Sequence, residues 1–235
     1  MSVLYLVRHG QGSFGTDNYD RLSELGREQC RLLGLHFAEQ GERIDALYAG
    51  TLERQRETAA LIIEALANAG GERLSLRSDP AFNEYEGDAI LKAFAASLSE
   101  ADLARAGWPA LQKDRRRFQL FLEQAAGAWV DGQLLADGSH AFQAFHGRVI
   151  EALTGIMRRE GRGKTIMLST SGGVIGIIVA HVLGAANRTG IELNWAVHNA
   201  SVTRLIYSEH KVSLSMFNAL PHLEQPDRRK LITYR

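Results

Sequence analysis

Apolar residues along the chain fall into two kinds of pattern. Short continuous runs, Val3-Leu4-Tyr5-Leu6-Val7, Ile44 to Ala49 and Thr165-Ile166-Met167-Leu168-Ser169, are each closed by a turn containing glycine. Such runs read as strands buried on both faces. Leu74-Ser75-Leu76 predicts a further strand, and Ser201 to Tyr207 and Val212 to Phe217 predict two more near the end. Between the runs the spacing turns helical. Ser23 caps a helix through about Gln40, with Leu25, Cys30, Leu32, Leu33 and Phe37 near one face and Gly41 ending it. Thr51 starts a second helix, with Leu52, Ala59, Ile62, Ile63 and Leu66 on its apolar side. Phe142 to Arg159 and Val174 to Leu183 predict two others. Strands alternating with helices predict an α/β fold, a three-layer α/β/α sandwich with a mostly parallel central sheet. From about residue 88 to 138 the pattern is helical without a strand signal, which reads as a helical cap inserted into a single domain of residues 1–235.

Charge narrows the choice of partner. Lys+Arg and Asp+Glu both number 27, so no net field draws the chain to nucleic acid or to a membrane surface. Any basic site must be local. The run Lys113-Asp114-Arg115-Arg116-Arg117 reads as a solvated helix face. Val3 to Val7 is too short for a signal peptide or a span, and the apolar stretch Ile175 to Leu183 is short and broken by His181. A cytoplasmic location is expected. The single cysteine, Cys30, reads as a small core hydrophobe in a reducing compartment.

Three segments share one grammar: apolar strand, short turn with glycine, helix. They bring Arg8-His9-Gly10, Gly50-Thr51-Leu52-Glu53-Arg54 and Thr170-Ser171-Gly172-Gly173 to one edge of a parallel sheet. Two arginines, helix N-terminal amides and a glycine-rich turn suit a dianion such as phosphate. A neutral imidazole among them can act as nucleophile toward phosphorus. Glu84, after the next strand, is the carboxylic acid placed to protonate a leaving alkoxide, with Glu86 its near competitor. Gln11 and Ser13 follow the histidine turn and are within reach of a phosphate there.

These residues resemble a known family. Leu6-Val7-Arg8-His9-Gly10-Gln11 is similar to the signature of the histidine phosphatase superfamily, the phosphoglycerate-mutase-like proteins. Leu22 to Gln29 resembles the family's L-T/S-x-x-G-x-x-Q helix start, and Thr51 to Ala59 its S-x-L-x-R-A-x-x-T-A segment. Asn83-Glu84 resembles the N-E that carries its acid, and Asn199-Ala200-Ser201-Val202 its late N-x-S-V strand. The resemblance implies a phosphohistidine at His9, Arg8 and Arg54 as clamps on the phosphoryl oxygens, and Glu84 as general acid and then base. It implies a small phosphorylated substrate, no cofactor and no metal.

One departure stands out. Where the family carries H-G-G with its second histidine, this chain has Ser171-Gly172-Gly173. Serine keeps a hydroxyl donor, and Gly172 and Gly173 keep their amides, but the ionisable donor is gone. Losing one preorganised donor at developing charge costs roughly 2.7–4 kcal/mol, about 10²–10³ in rate. His198, before Asn199, is the first replacement to consider, ahead of His222 and His140. The expectation is a metal-independent phosphomonoesterase of weakened activity. The alternatives are a non-catalytic phosphate-binding or regulatory protein and, further off, a phosphoglycerate-type mutase. The tail after Phe217 is expected to pack back on the domain or on a second copy in a homodimer.

Overall fold

The computed structural model describes residues 1–13, 20–108, 114–134, 141–208 and 211–234, with Arg115 in backbone only. It contains a six-stranded sheet of order β3-β2-β4-β1-β5-β6. The strands are β1 (Ser2–Arg8), β2 (Ala46–Ala49), β3 (Leu76–Ser78), β4 (Thr165–Thr170), β5 (Val202–Tyr207) and β6 (Val212–Ala219). The β3/β2, β2/β4 and β4/β1 pairs are parallel, and β5 is antiparallel to both β1 and β6. Five strands therefore run one way and β5 alone runs against them. β1 lies between β4 and β5, and the side chains of Leu4 to Val7 are buried on both faces of the sheet. That is why it carries no polar alternation.

The helices are α1 (Glu24–Glu39), α2 (Glu53–Asn68), α3 (Gly87–Ser97), α4 (Glu100–Ala106), α5 (Arg115–Val130), α6 (Phe142–Glu160), α7 (Gly172–Leu183) and α8 (Asn187–Ala196). The Ser23 hydroxyl accepts the Gly26 N–H at the start of α1, as its capping role predicts. α2 begins two residues later than Thr51 suggests. Leu52 holds the N-cap position without a side-chain bond, and the Asp20 carboxylate accepts the Glu53 N–H at 2.8 Å instead. β3 is likewise shifted from Leu74–Leu76 to Leu76–Ser78, pairing Leu47 with Leu76. α1 packs on α2 and α7 on α8, the helical layers of an α/β sandwich. α8 has no counterpart in the sequence reading. It is seated by a close approach in which a Cβ on Gly176 would overlap the Gly190 carbonyl oxygen. No helix among the described residues is long and apolar enough to cross a membrane.

The chain divides into two compact units, Met1–Glu84 with Val149–Arg235, and Tyr85–Arg148. The first holds the sheet and a core of Tyr5, Val7, Leu33, Phe37, Leu47, Ile62 and Met167 among others. The second is helical around aromatic contacts: Tyr85 on Trp129 at 5.1 Å, Trp129 on Phe142 at 5.2 Å, and Phe94 on Phe121 at 5.1 Å. Trp129 is core and Trp108 stacks on Phe121. Within this unit Asp114 caps α5, whose Arg116 and Arg117 are exposed, as a solvated basic face requires. After β6 the tail packs back on α1 within the first unit. Leu220 and Leu223 pack on Leu32, and the Gln29 amide donates to the Leu231 carbonyl.

Candidate functional site

The parallel strands β2, β4 and β1 are neighbours, so their carboxyl ends meet at one edge of the sheet. Open α/β sheets bind ligands beyond such ends. Backbone bonds stitch the turns together: the His9 N–H donates to the Thr170 carbonyl at 2.9 Å, and the Gly50 N–H to the Ser169 carbonyl at 3.2 Å. The three segments predicted to converge do so.

His9 is buried, 6% exposed. Its Nδ1 lies 2.8 Å from the Gly10 carbonyl, which can only accept, so Nδ1 carries the proton. The Arg54 Nε donates to the other ring nitrogen, Nε2, at 3.2 Å. The lone pair is thus on Nε2 and faces a cation. Burial, then Arg54, then Arg8 hold the His9 pKa well below its ordinary 6.5, against a smaller opposing push from the Gly10 bond. The ring is neutral at pH 7. Gly10 permits this turn, since a Cβ there would strike the Gly26 carbonyl and the Cys30 sulfur.

Arg54 is held from its far side. Its Nη1 meets the Asp20 carboxylate at 2.6 Å, and the other oxygen of that carboxylate caps α2. Arg8 is buried too, its Nη1 donating to the Val197 carbonyl and, at 3.3 Å, to that of Tyr234. The loop after α8 braces the same turn: the Arg8 N–H donates to the Ser201 carbonyl, and the Ala200 N–H and the Asn199 side-chain amide donate to the His9 carbonyl. Glu84 lies at the start of α7, where its Oε2 accepts the Gly173 N–H at 3.0 Å. Ser171, at the N-cap of α7, is 1% exposed, and its Oγ accepts from the Gln55 Nε2 at 2.8 Å.

The remaining sequence expectations divide. Gln11 spends its side-chain oxygen on the Ser23 hydroxyl at 2.8 Å, which serves the α1 cap, and its N–H donates to Gln29. The Ser13 N–H donates to the Arg21 carbonyl. His198 bonds Asn218 through its N–H and its ring, and packs edge-on against Tyr234 at 4.9 Å. Its loop neighbours touch Arg8 and His9, but its imidazole is tied to β6. His222 is fully buried beside Leu220 and Leu223, and its pKa is lowered to about 3 by burial, with His36 and Arg228 adding to the effect. It makes no hydrogen bond through either ring nitrogen among the described residues. His140 lies outside the described residues. Two contributors escaped the sequence reading. Asp20 sits in a polar loop 33 residues before the helix it caps, and Gln55 is flanked by Arg54 and Arg56 in a stretch that reads as surface. No three His, Cys, Asp or Glu side chains cluster to hold a metal ion among the described residues.

Known proteins give this geometry a context. A mycobacterial glucosyl-3-phosphoglycerate phosphatase in complex with VO3 shares the fold at a TM-score of 0.62 and 20% identity, covering 92% of this chain and 99% of that one. Bacillus stearothermophilus YhfR does so at 0.67 and 20%, covering 95% and 100%. A 2,3-bisphosphoglycerate-dependent phosphoglycerate mutase of Sinorhizobium fredii (strain NBRC 101917 / NGR234) is 26% identical over 73% of this chain and 87% of its own length. Similar mutases of Methylorubrum populi and Methylobacterium sp. (strain 4-46) are matched at 32% and 34% identity, over 37% and 50% of their lengths and 31% and 45% of this chain. The profile of the histidine phosphatase superfamily (branch 1) matches residues 4–220, and the chain belongs to that superfamily.

Proposed function

We propose that the chain hydrolyses small phosphomonoesters through a phosphohistidine at His9. The observation that carries the reading is the tautomer: Nδ1–H bonded to the Gly10 carbonyl leaves an Nε2 lone pair beside the Arg54 guanidinium. Nε2 attacks phosphorus, and the bond from phosphorus to the leaving oxygen breaks. That oxygen takes the proton of the Glu84 carboxyl. The positive charge gained by the ring is shared with the Gly10 carbonyl, while Arg8 and Arg54 meet the phosphoryl oxygens out of bulk water. A water then gives its proton to Glu84 and attacks phosphorus. The bond to Nε2 breaks, and phosphate and the neutral ring are restored. Glu84 can perform both steps while its Oε2 keeps the Gly173 N–H, since a protonated carboxyl retains an acceptor oxygen.

Turnover of a phosphomonoester panel, beside base-quenched trapping of labelled protein, tests this. Wild type is expected to release phosphate and to carry acid-labile, base-stable label, and His9→Ala to do neither. Phosphate release that survives His9→Ala would sink the reading. The matched mutases favour a second one, transfer of the phosphoryl group to another hydroxyl of the same or a second substrate. It predicts product isomers in place of free phosphate.

A further inference from the structure

Among the fully buried polar side chains that the mechanism above leaves unused is one directly beside Arg54. Gln55 follows Arg54 on α2 and has no solvent exposure. Its Nε2 donates to two oxygens, the Phe82 carbonyl at 3.1 Å and the Ser171 Oγ at 2.8 Å. The Phe82 carbonyl cannot donate, so the amide is locked with nitrogen toward it and toward Ser171. Its oxygen then lies against Gly50, where a Cβ would overlap it, and among the described residues that Oε1 has no hydrogen bond. Gly50, Gln55 and Ser171 are therefore one packed unit. A side chain at 50 excludes the amide, and the amide fixes the hydroxyl.

A serine hydroxyl normally donates and accepts as its surroundings ask. Here Gln55 fills the accepting side, so the Ser171 proton must point away from it. The side chain makes no cap bond to α7, and among the described residues the proton meets no acceptor. Ser171 follows Thr170, whose carbonyl holds His9, just as Gln55 follows Arg54, whose Nε holds His9. We infer that Gln55 is a positioning residue that makes Ser171 a one-way, uncharged donor to a phosphoryl oxygen bound beside His9. The inference rests on the phosphoryl pocket proposed above. Gly50, Gln55 and Ser171 thus form a neutral amide–hydroxyl relay.

The test uses the full chain, p-nitrophenyl phosphate turnover and calorimetric binding of inorganic phosphate. Ser171→Ala is expected to lower kcat/KM on the order of 10²-fold and to weaken phosphate binding. Gln55→Met fills the same space, and the Phe82 carbonyl keeps its bond from the Thr170 hydroxyl at 2.7 Å, so the fold tolerates it. It is expected to lower both readouts about tenfold, one net hydrogen bond, with an unchanged urea midpoint. Combined with Ser171→Ala it should cost nothing further. Gln55→Glu turns the proton round by offering an acceptor. Its turnover should recover as acid protonates the new carboxyl, and that recovery should vanish when Ser171 is alanine. Multiplying losses in the combined variant, or full phosphate affinity in Ser171→Ala, would overturn the inference. A wild type that binds phosphate with this pattern yet releases none from the ester sinks the hydrolase reading and supports the donor. A wild type that binds no phosphate sinks both.

Discussion

His9 and His222 are both buried and both held neutral, and they differ in everything else. His9 has a carbonyl on one ring nitrogen and a guanidinium on the other, so its tautomer and its orientation are fixed. His222 has neither ring nitrogen bonded among the described residues and sits between Leu220 and Leu223. Burial alone lowers a histidine's pKa. It takes two opposed partners to aim a lone pair, and only the turn after β1 supplies them. A histidine count, or a search for the most perturbed imidazole, would treat the two alike.

Substitutions separate them most sharply. His9→Ala should abolish turnover, a loss on the order of 10⁶ if it acts as nucleophile, while His222→Leu leaves turnover at the wild-type level; steady-state kinetics on both variants decides. The pH dependence of stability comes next. Below about pH 6.5 the unfolded chain takes up protons on these histidines that the folded chain refuses, so stability falls as pH falls. For His222 the window runs from about 6.5 down to about 3, at about 1.4 kcal/mol per pH unit. Urea titrations between pH 4 and 7 should show His222→Leu shallower than wild type by one proton; an equal slope would show that the ring finds a proton in the fold. The acid limb of kcat/KM should accordingly lie below 6.5, because His9 stays neutral there.

Smaller effects test the opposite turn. Ser171→His, though it restores the family's residue, meets a site already filled by Gln55, and should cost about 1–3 kcal/mol of stability by overpacking without raising turnover. Pairing it with Gln55→Ala should relieve the strain, seen in the same urea titrations. Of similar size but opposite sign is His222→Leu at pH 7, expected to stabilise by about 1–3 kcal/mol because it removes a buried donor unsatisfied among the described residues.

What could be read beforehand follows from where the information lies. β1 and β4 announce themselves because strands covered on both faces need unbroken apolar runs, and α1 because Ser23 and Gly41 punctuate it. The Arg8-His9-Gly10 turn was legible for the same local reason. α8 was not, because Ala186 gives it no side-chain cap and only Gly190, Ile191 and Asn194 of its ten residues are buried. Asp20 and Gln55 were hidden because each acts across the fold, one capping a helix 33 residues on, the other gripping a residue 116 further along. A polar residue among charged neighbours reads as surface unless something reveals that it has no room for water.

The braces of the turn that carries His9 have a consequence for how the protein comes into being. His9 and Arg8 are fixed by Val197, Asn199 and Tyr234, residues 189, 190 and 226 positions away. Contacts so distant close late, after the local helices and their neighbours have formed. At a synthesis rate of about 5–20 residues per second, the turn waits on the order of tens of seconds for its partners. A growing chain therefore carries its histidine before the contacts that orient it, and the turn is among the last parts of the molecule to be fixed.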